Sequence, residues 1–158
     1  MRPPVRVIPR LDVKGVNLVK GIHLEGLRVL GDPSYFARFY AEEGADELLF
    51  MDAVASLYGR NSLLDVVEKT ARNVFIPMTV GGGIRSLNDI AQVLRAGADK
   101  VAINTAAVND PAFVAKAAER YGSSTIAVHI DAKRQRNGDW MVWTENGREP
   151  SNLNAVDW

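Results

Sequence analysis

Short apolar runs alternate along this chain with longer stretches of helical spacing. The runs are 5–11 (VRVIPRL), 47–52 (ELLFMD), 76–80 (IPMTV), 99–103 (DKVAI) and 125–130 (TIAVHI), each of strand length. Between them, 34–43, 61–73, 87–96 and 111–121 carry apolar residues at helical intervals. Two of these helices have explicit start signals, Asp32-Pro33 and Asp110-Pro111, a capping residue followed by proline at the first helical position. After the fifth run the pattern changes. Residues 139–144 and their neighbourhood alternate around Asn137-Gly138 and Asn146-Gly147, which are hairpin turn signals. Strand-helix alternation of this kind predicts a parallel sheet with helical crossovers.

A repeat narrows the architecture. Gly44-Ala45-Asp46-Glu47 and Gly97-Ala98-Asp99-Lys100 each end a helix with glycine and open a strand with an acidic residue. The repeated unit is two strand-helix pairs, which suits a closed (β/α) barrel. A dinucleotide-binding sheet is expected to carry its glycine fingerprint after the first strand, and no GxGxxG follows residues 5–11.

Composition adds limits. The chain has 158 residues, 47% of them hydrophobic, enough for one domain with a sizeable core. Nineteen basic and nineteen acidic residues cancel, so no global field favours nucleic acid or an anionic membrane. There is no cysteine, and His23 and His129 are the only imidazoles. Neither a disulfide framework nor a metal site is expected, and no cofactor is called for. The N-terminus lacks a signal-type apolar segment, and no apolar run reaches the roughly 18 residues of a membrane span, so a cytoplasmic location is expected.

In a (β/α) barrel the chemistry gathers at the C-terminal ends of the strands. Those positions are Asp12, Asp52, Gly81-Gly82-Gly83, Asn104-Thr105 and Asp131. Three strands deliver a carboxylate to one face, the third delivers glycines, and the fourth an amide and a hydroxyl. This combination points to proton transfer beside a phosphate anchor, because exposed N–H groups of a glycine loop, aided by the next helix N-terminus, bind phosphate without net positive charge. Each residue also has a plainer reading. The aspartates could cap loops, the glycines could permit tight helix-strand packing, and Trp140 and Trp143 are most simply packing residues. His129, inside an apolar strand, reads as a core residue, His23 as a loop residue, and Lys133-Arg134-Gln135-Arg136 as a solvated charge run.

The segments RLDVKGVNLVKG, GADELLFMDAVAS, PMTVGGGIRS, GADKVAINTAAVNDP and IAVHIDAKR together resemble the cyclase subunit of imidazole glycerol phosphate synthase, a (β/α)8 barrel family of histidine biosynthesis. The resemblance covers nearly the whole chain in one collinear register. It implies that Asp12 and Asp131 are the acid/base pair, and that Gly82, Gly83, Asn104 and Thr105 bind one phosphate of a two-phosphate substrate. Lys20 then belongs to a substrate-covering loop over 13–31, and Asp52 lies near the site. Arg6, Glu47 and Lys100 match a charged gate on the opposite face through which ammonia enters from a glutaminase partner; without the family they would read as surface ion pairs.

Two departures qualify that reading. Pro9-Arg10 replaces the small residue and cysteine expected there, and period two along the strand puts Arg10 on the face of Asp12, where a guanidinium would favour the ionised carboxylate. With the distinctive GIHLEGLRVLG segment, this resembles paralogous ammonia-supplying subunits that serve surface-sugar amidation with an amidotransferase. The other departure is length. A full barrel takes about 250 residues, so five strands and four helices are expected here, a partial barrel in a single domain with two open sheet edges that invite self-association. A non-catalytic, phosphate-binding partial barrel is the third alternative.

Overall fold

The computed structural model describes residues 5–22, 26–54 and 63–158. Its main sheet has seven strands: β1 (Arg10–Lys14), β2 (Asn17–Ile22), β3 (Gly26–Gly31), β4 (Leu48–Asp52), β5 (Met78–Gly81), β6 (Lys100–Ile103) and β7 (Ile126–Val128). They lie in the order β3-β2-β1-β4-β5-β6-β7. β1, β4, β5, β6 and β7 are consecutive parallel neighbours, so every crossover returns the chain beside the strand it left. The crossovers carry α1 (Pro33–Glu42), α2 (Leu64–Ala71), α3 (Leu87–Arg95), the short α4 (Thr105–Asn109) and α5 (Pro111–Tyr121). A second, antiparallel sheet follows, β8 (Asp131–Arg134), β9 (Trp140–Thr144) and β10 (Glu149–Asn154), in the order β10-β9-β8.

The apolar run of each parallel strand forms one continuous core with the inner stripes of the helices. Leu11, Val13, Leu48, Phe50, Val80, Val101 and Ile103 meet Ala37, Val67, Ile90, Val93, Ala107 and Ala117. Both helix starts foreseen from Asp-Pro pairs occur. Asp32 accepts from Ser34 N–H at 2.9 Å and Asp110 from Ala112 N–H at 3.1 Å, with proline in the first turn of α1 and α5.

The repeated Gly-Ala-Asp segments do the same structural work twice. Gly44 and Gly97 take positive φ at 91° and 112°, ending α1 and α3. Asp46 then exchanges two hydrogen bonds with Val7, its N–H donating to the Val7 carbonyl at 2.9 Å and its carboxylate accepting from Val7 N–H at 2.7 Å. Asp99 does likewise with Met78, at 2.9 and 2.7 Å. In each case the aspartate locks the start of one parallel strand to its neighbour.

The structure departs from the sequence pattern at five points. The first strand begins at Arg10 and not Val5, although Val7 and Pro9 still accept from Asp46 and Leu49 N–H. The loop expected over 13–31 is largely an antiparallel hairpin: β2 pairs with β1 through Val13↔Leu18, and with β3. The β1 side of the sheet is therefore not the open edge foreseen. His23 lies outside the described residues. Residues 105–109 form a helix too short to announce itself by periodicity. The run 125–130 breaks after Val128, because Ile103 ends β6; only His129 N–H still reaches the Ile103 carbonyl, at 2.9 Å, before the chain leaves for β8.

Candidate active site

The parallel register aligns the strand ends: Asp12 faces Met51, Met51 faces Gly81, Gly81 faces Ala102, and Ile103 faces Val128. A cleft of about 460 Å³ opens there, lined by Asp12, Asp52 and Asp131 together with Arg10, Arg148, Gly21 near the end of β2, and Gly26 and Leu27 at the start of β3. Arg10 and Asp12 share one face, as period two requires, and Arg10 Nε donates to Asp12 Oδ1 at 2.8 Å. Asp52 is buried, and its Oδ1 accepts from Val54 N–H at 3.0 Å, which shapes the turn leaving β4. Lys20 is exposed on β2 opposite Arg28, and the residues lining the cleft do not include it.

Asp131 opens β8 and does not end the fifth parallel strand, yet it reaches the site because Asn104 Nδ2 donates to its Oδ2 at 2.9 Å. The same amide donates to the Trp143 carbonyl at 3.2 Å, tying β9 to the end of β6. A smaller cavity adjoins the cleft, lined by Gly82, Gly83, Arg85, Asn104, Thr105, His129 and Asp131, among others. Asp131 faces both spaces. His129, read from sequence as a core residue, is a cavity residue with its Nε2 3.6 Å from Asp131 Oδ1. The signal that could have found it is its place two residues before Asp131, at the end of a parallel strand.

The glycine run has more than one cause. A Cβ on Gly82 would stand 2.6 Å from the Asp52 carbonyl oxygen, and one on Gly81 2.7 Å from Met51 Sδ, so these two glycines let β5 approach the end of β4. Gly83, with φ +70°, lines the cavity. The next helix start is already occupied by its own side chains. Ser86 accepts from Asp89 N–H at 3.2 Å, and Asp89 Oδ2 accepts from Ser86 and Arg85 N–H at 2.8 and 3.0 Å.

The β9–β10 turn lies across this end of the sheet. Glu145 N–H donates to Thr105 Oγ1 at 3.1 Å and Asn146 Nδ2 to the Ala53 carbonyl at 2.7 Å. Glu145, Asn146 and Gly147 all take positive φ. Lys133, expected in a solvated charge run, has its Nζ 3.6 Å above the Trp143 ring and donates to the Gly147 carbonyl at 2.5 Å.

At the opposite end of the strands Glu47 is buried between two cations. Arg6 pairs with its Oε1, and Lys100 Nζ lies 3.1 Å from its Oε2. Glu47 and Lys100 occupy equivalent positions of the repeat, which explains how sequences on separate strands meet. No group of three or more metal-ligating side chains occurs among the described residues, and no helix among them is long and apolar enough to cross a membrane.

Consecutive parallel strands with helical crossovers, carboxylates and a glycine loop at their C-terminal ends, define a protein of the (β/α)-barrel class. A sequence model of the histidine biosynthesis protein family matches residues 6–158, and the chain belongs to that family. It is 59% identical over 154 residues to the imidazole glycerol phosphate synthase subunit HisF of Legionella pneumophila, covering 98% of this chain and 73% of the relative. It is 52% identical to the subunit of the same name from an Exiguobacterium species, covering 97% of this chain and 60% of the relative.

Proposed function

We propose that this chain is the cyclase subunit of an imidazole glycerol phosphate synthase in histidine biosynthesis. It takes ammonia from a glutaminase partner and converts a bis-phosphorylated phosphoribulosyl-formimino-AICAR-type substrate to imidazole glycerol phosphate and AICAR. The observation that carries this is the convergence of Asp12 and Asp131 on one cleft at the strand ends, beside the cavity of Gly82, Gly83, Asn104 and Thr105. Condensing ammonia with a ketone and closing an imidazole ring needs protons both taken and given, which two separate carboxylates can divide between them. Gly83, Asn104 and Thr105 hold one phosphate through backbone N–H groups and the Thr105 hydroxyl, since the Asn104 side-chain amide donates to Asp131 and the Trp143 carbonyl. The β2–β3 hairpin, which carries Lys20, helps enclose the substrate and exclude water. Arg6, Glu47 and Lys100 form the ammonia entrance on the other face.

The test supplies substrate and an ammonium salt, with and without a glutaminase subunit, and follows both products. Asp12→Asn and Asp131→Asn are each expected to lower kcat about 10²- to 10⁴-fold while inorganic phosphate still binds. Full turnover in both variants would remove these residues from the chemistry.

The Arg10–Asp12 pair at 2.8 Å supports a second reading, a paralogous subunit that passes ammonia on for amidation of a surface sugar. That role needs no free carboxylate at Asp12. Ammonia transfer to a sugar substrate by an amidotransferase complex that survives Asp12→Asn would favour it.

A further inference from the structure

The cavity proposed for phosphate has a charge problem, and His129 stands at its wall. The start of α3 is occupied by the Ser86–Asp89 capping pair, and the Thr105 hydroxyl already accepts from Glu145 N–H. The charged groups facing the cavity are Arg85, which follows β5, and Asp131, at the start of β8; the second carboxylate oxygen of Asp131 is engaged by Asn104. Asp131 standing against the cavity opposes an incoming dianion. Among the lining residues, Arg85 and His129 are the two able to carry positive charge. The imidazole is partly exposed, at 23%, and its Nε2 is 3.6 Å from Asp131 Oδ1.

We propose that His129 is a substrate-contacting residue that bridges Asp131 and the bound phosphate. In an imidazolium both ring nitrogens donate, so one N–H is directed to the Asp131 carboxylate and the other to a phosphate oxygen. The bridge has two consequences. It supplies a charge-assisted hydrogen bond to a cradle otherwise built from neutral donors and Arg85, and it separates the acid/base carboxylate from the phosphate charge. The sequence masks this role, since a histidine in TIAVHI has the position of a core residue. The inference rests on the phosphate reading of the cavity, but not on turnover.

The chain has two histidines, so its imidazole resonances are few, and His23→Gln assigns them. The whole chain is titrated with inorganic phosphate while the ring resonances are followed. Saturable shifts of the His129 ring are expected in the unmodified protein. In His129→Ala, phosphate should bind roughly tenfold or more weakly. His129→Gln, which keeps a donor without the charge, should lose less, with circular dichroism checking that both variants fold. Saturable phosphate binding that leaves the His129 ring unshifted and the His129→Ala affinity unchanged would overturn the inference and leave the cradle standing. No saturable binding to the unmodified chain would overturn both.

Discussion

At the scale of the residue, Gly82 shows why a motif can be right in place and incomplete in cause. Its φ is +94°, and a Cβ added there would stand 2.6 Å from the Asp52 carbonyl oxygen, so it is a packing position whatever binds nearby. Gly82→Ala is expected to destabilise the fold by about 2 to 4 kcal/mol, measured by urea unfolding. Gly15 has φ +60° but open space around it, so Gly15→Ala should cost only about 1 to 2 kcal/mol. Equal losses would show that backbone strain alone, and not the contact with β4, demands glycine at Gly82. Asp52 is legible in the sequence because it ends its strand, and Asp12 because it stands in β1 at the level of the neighbouring strand ends, whereas Asp131, expected at a strand end, opens β8 instead. His129 is legible only through its place two residues before Asp131, because TIAVHI otherwise reads as an apolar strand.

At the scale of the element, helix caps are legible in the sequence and the more distant partners of the capping residues are not. Ser86 both caps α3 and closes a reciprocal pair with Asp89. Ser86→Ala should cost about 1 kcal/mol, and a loss of nothing in chemical denaturation would show that the capping pair is redundant. Asp32 caps α1 and also reaches α2, where Lys69 Nζ lies 2.5 Å from its Oδ2. That hydrogen bond, opposed by burial and aided by Ser34 N–H, holds the Asp32 carboxyl below its usual value of 3.8. The sign follows from linkage: a carboxyl depressed in the folded state contributes stability that is complete above 3.8 and is lost as pH falls through the lowered value. The melting-temperature gap between the unmodified chain and Lys69→Met should therefore be constant near neutral pH and close below that point. A gap unchanged down to the acid limit would refute the tie. Because both side chains are about half exposed, the gap itself should be small.

At the scale of the whole molecule, the Arg6–Glu47–Lys100 cluster ties the segments entering β1 and β4 to the first residue of β6, at the end remote from the cleft. Under the proposed function it faces the glutaminase. Glu47→Gln is expected to lower glutamine-driven turnover of the complex more than turnover fed with ammonium salt, since the second route needs no channelled ammonia. An equal loss by both routes would make the cluster purely structural, as a carboxylate buried between two cations can be.

The sequence by itself determined the parallel β/α order, the helix starts at Asp-Pro, the repeated Gly-Ala-Asp strand openings and the places of Asp52 and the glycine run at the ends of β4 and β5, because each depends on local periodicity or on a residue within a few positions of its partner. Tertiary structure alone decided the rest. The 13–31 segment became sheet because β1 offered a free edge from Val13, and an edge is invisible in the sequence of the strand that fills it. The end of β6 at Ile103 decided where the fifth strand stops. That stop freed Asp131 to be held by Asn104, 27 positions earlier in the chain and beyond any local pattern, and to stand off the sheet beside His129.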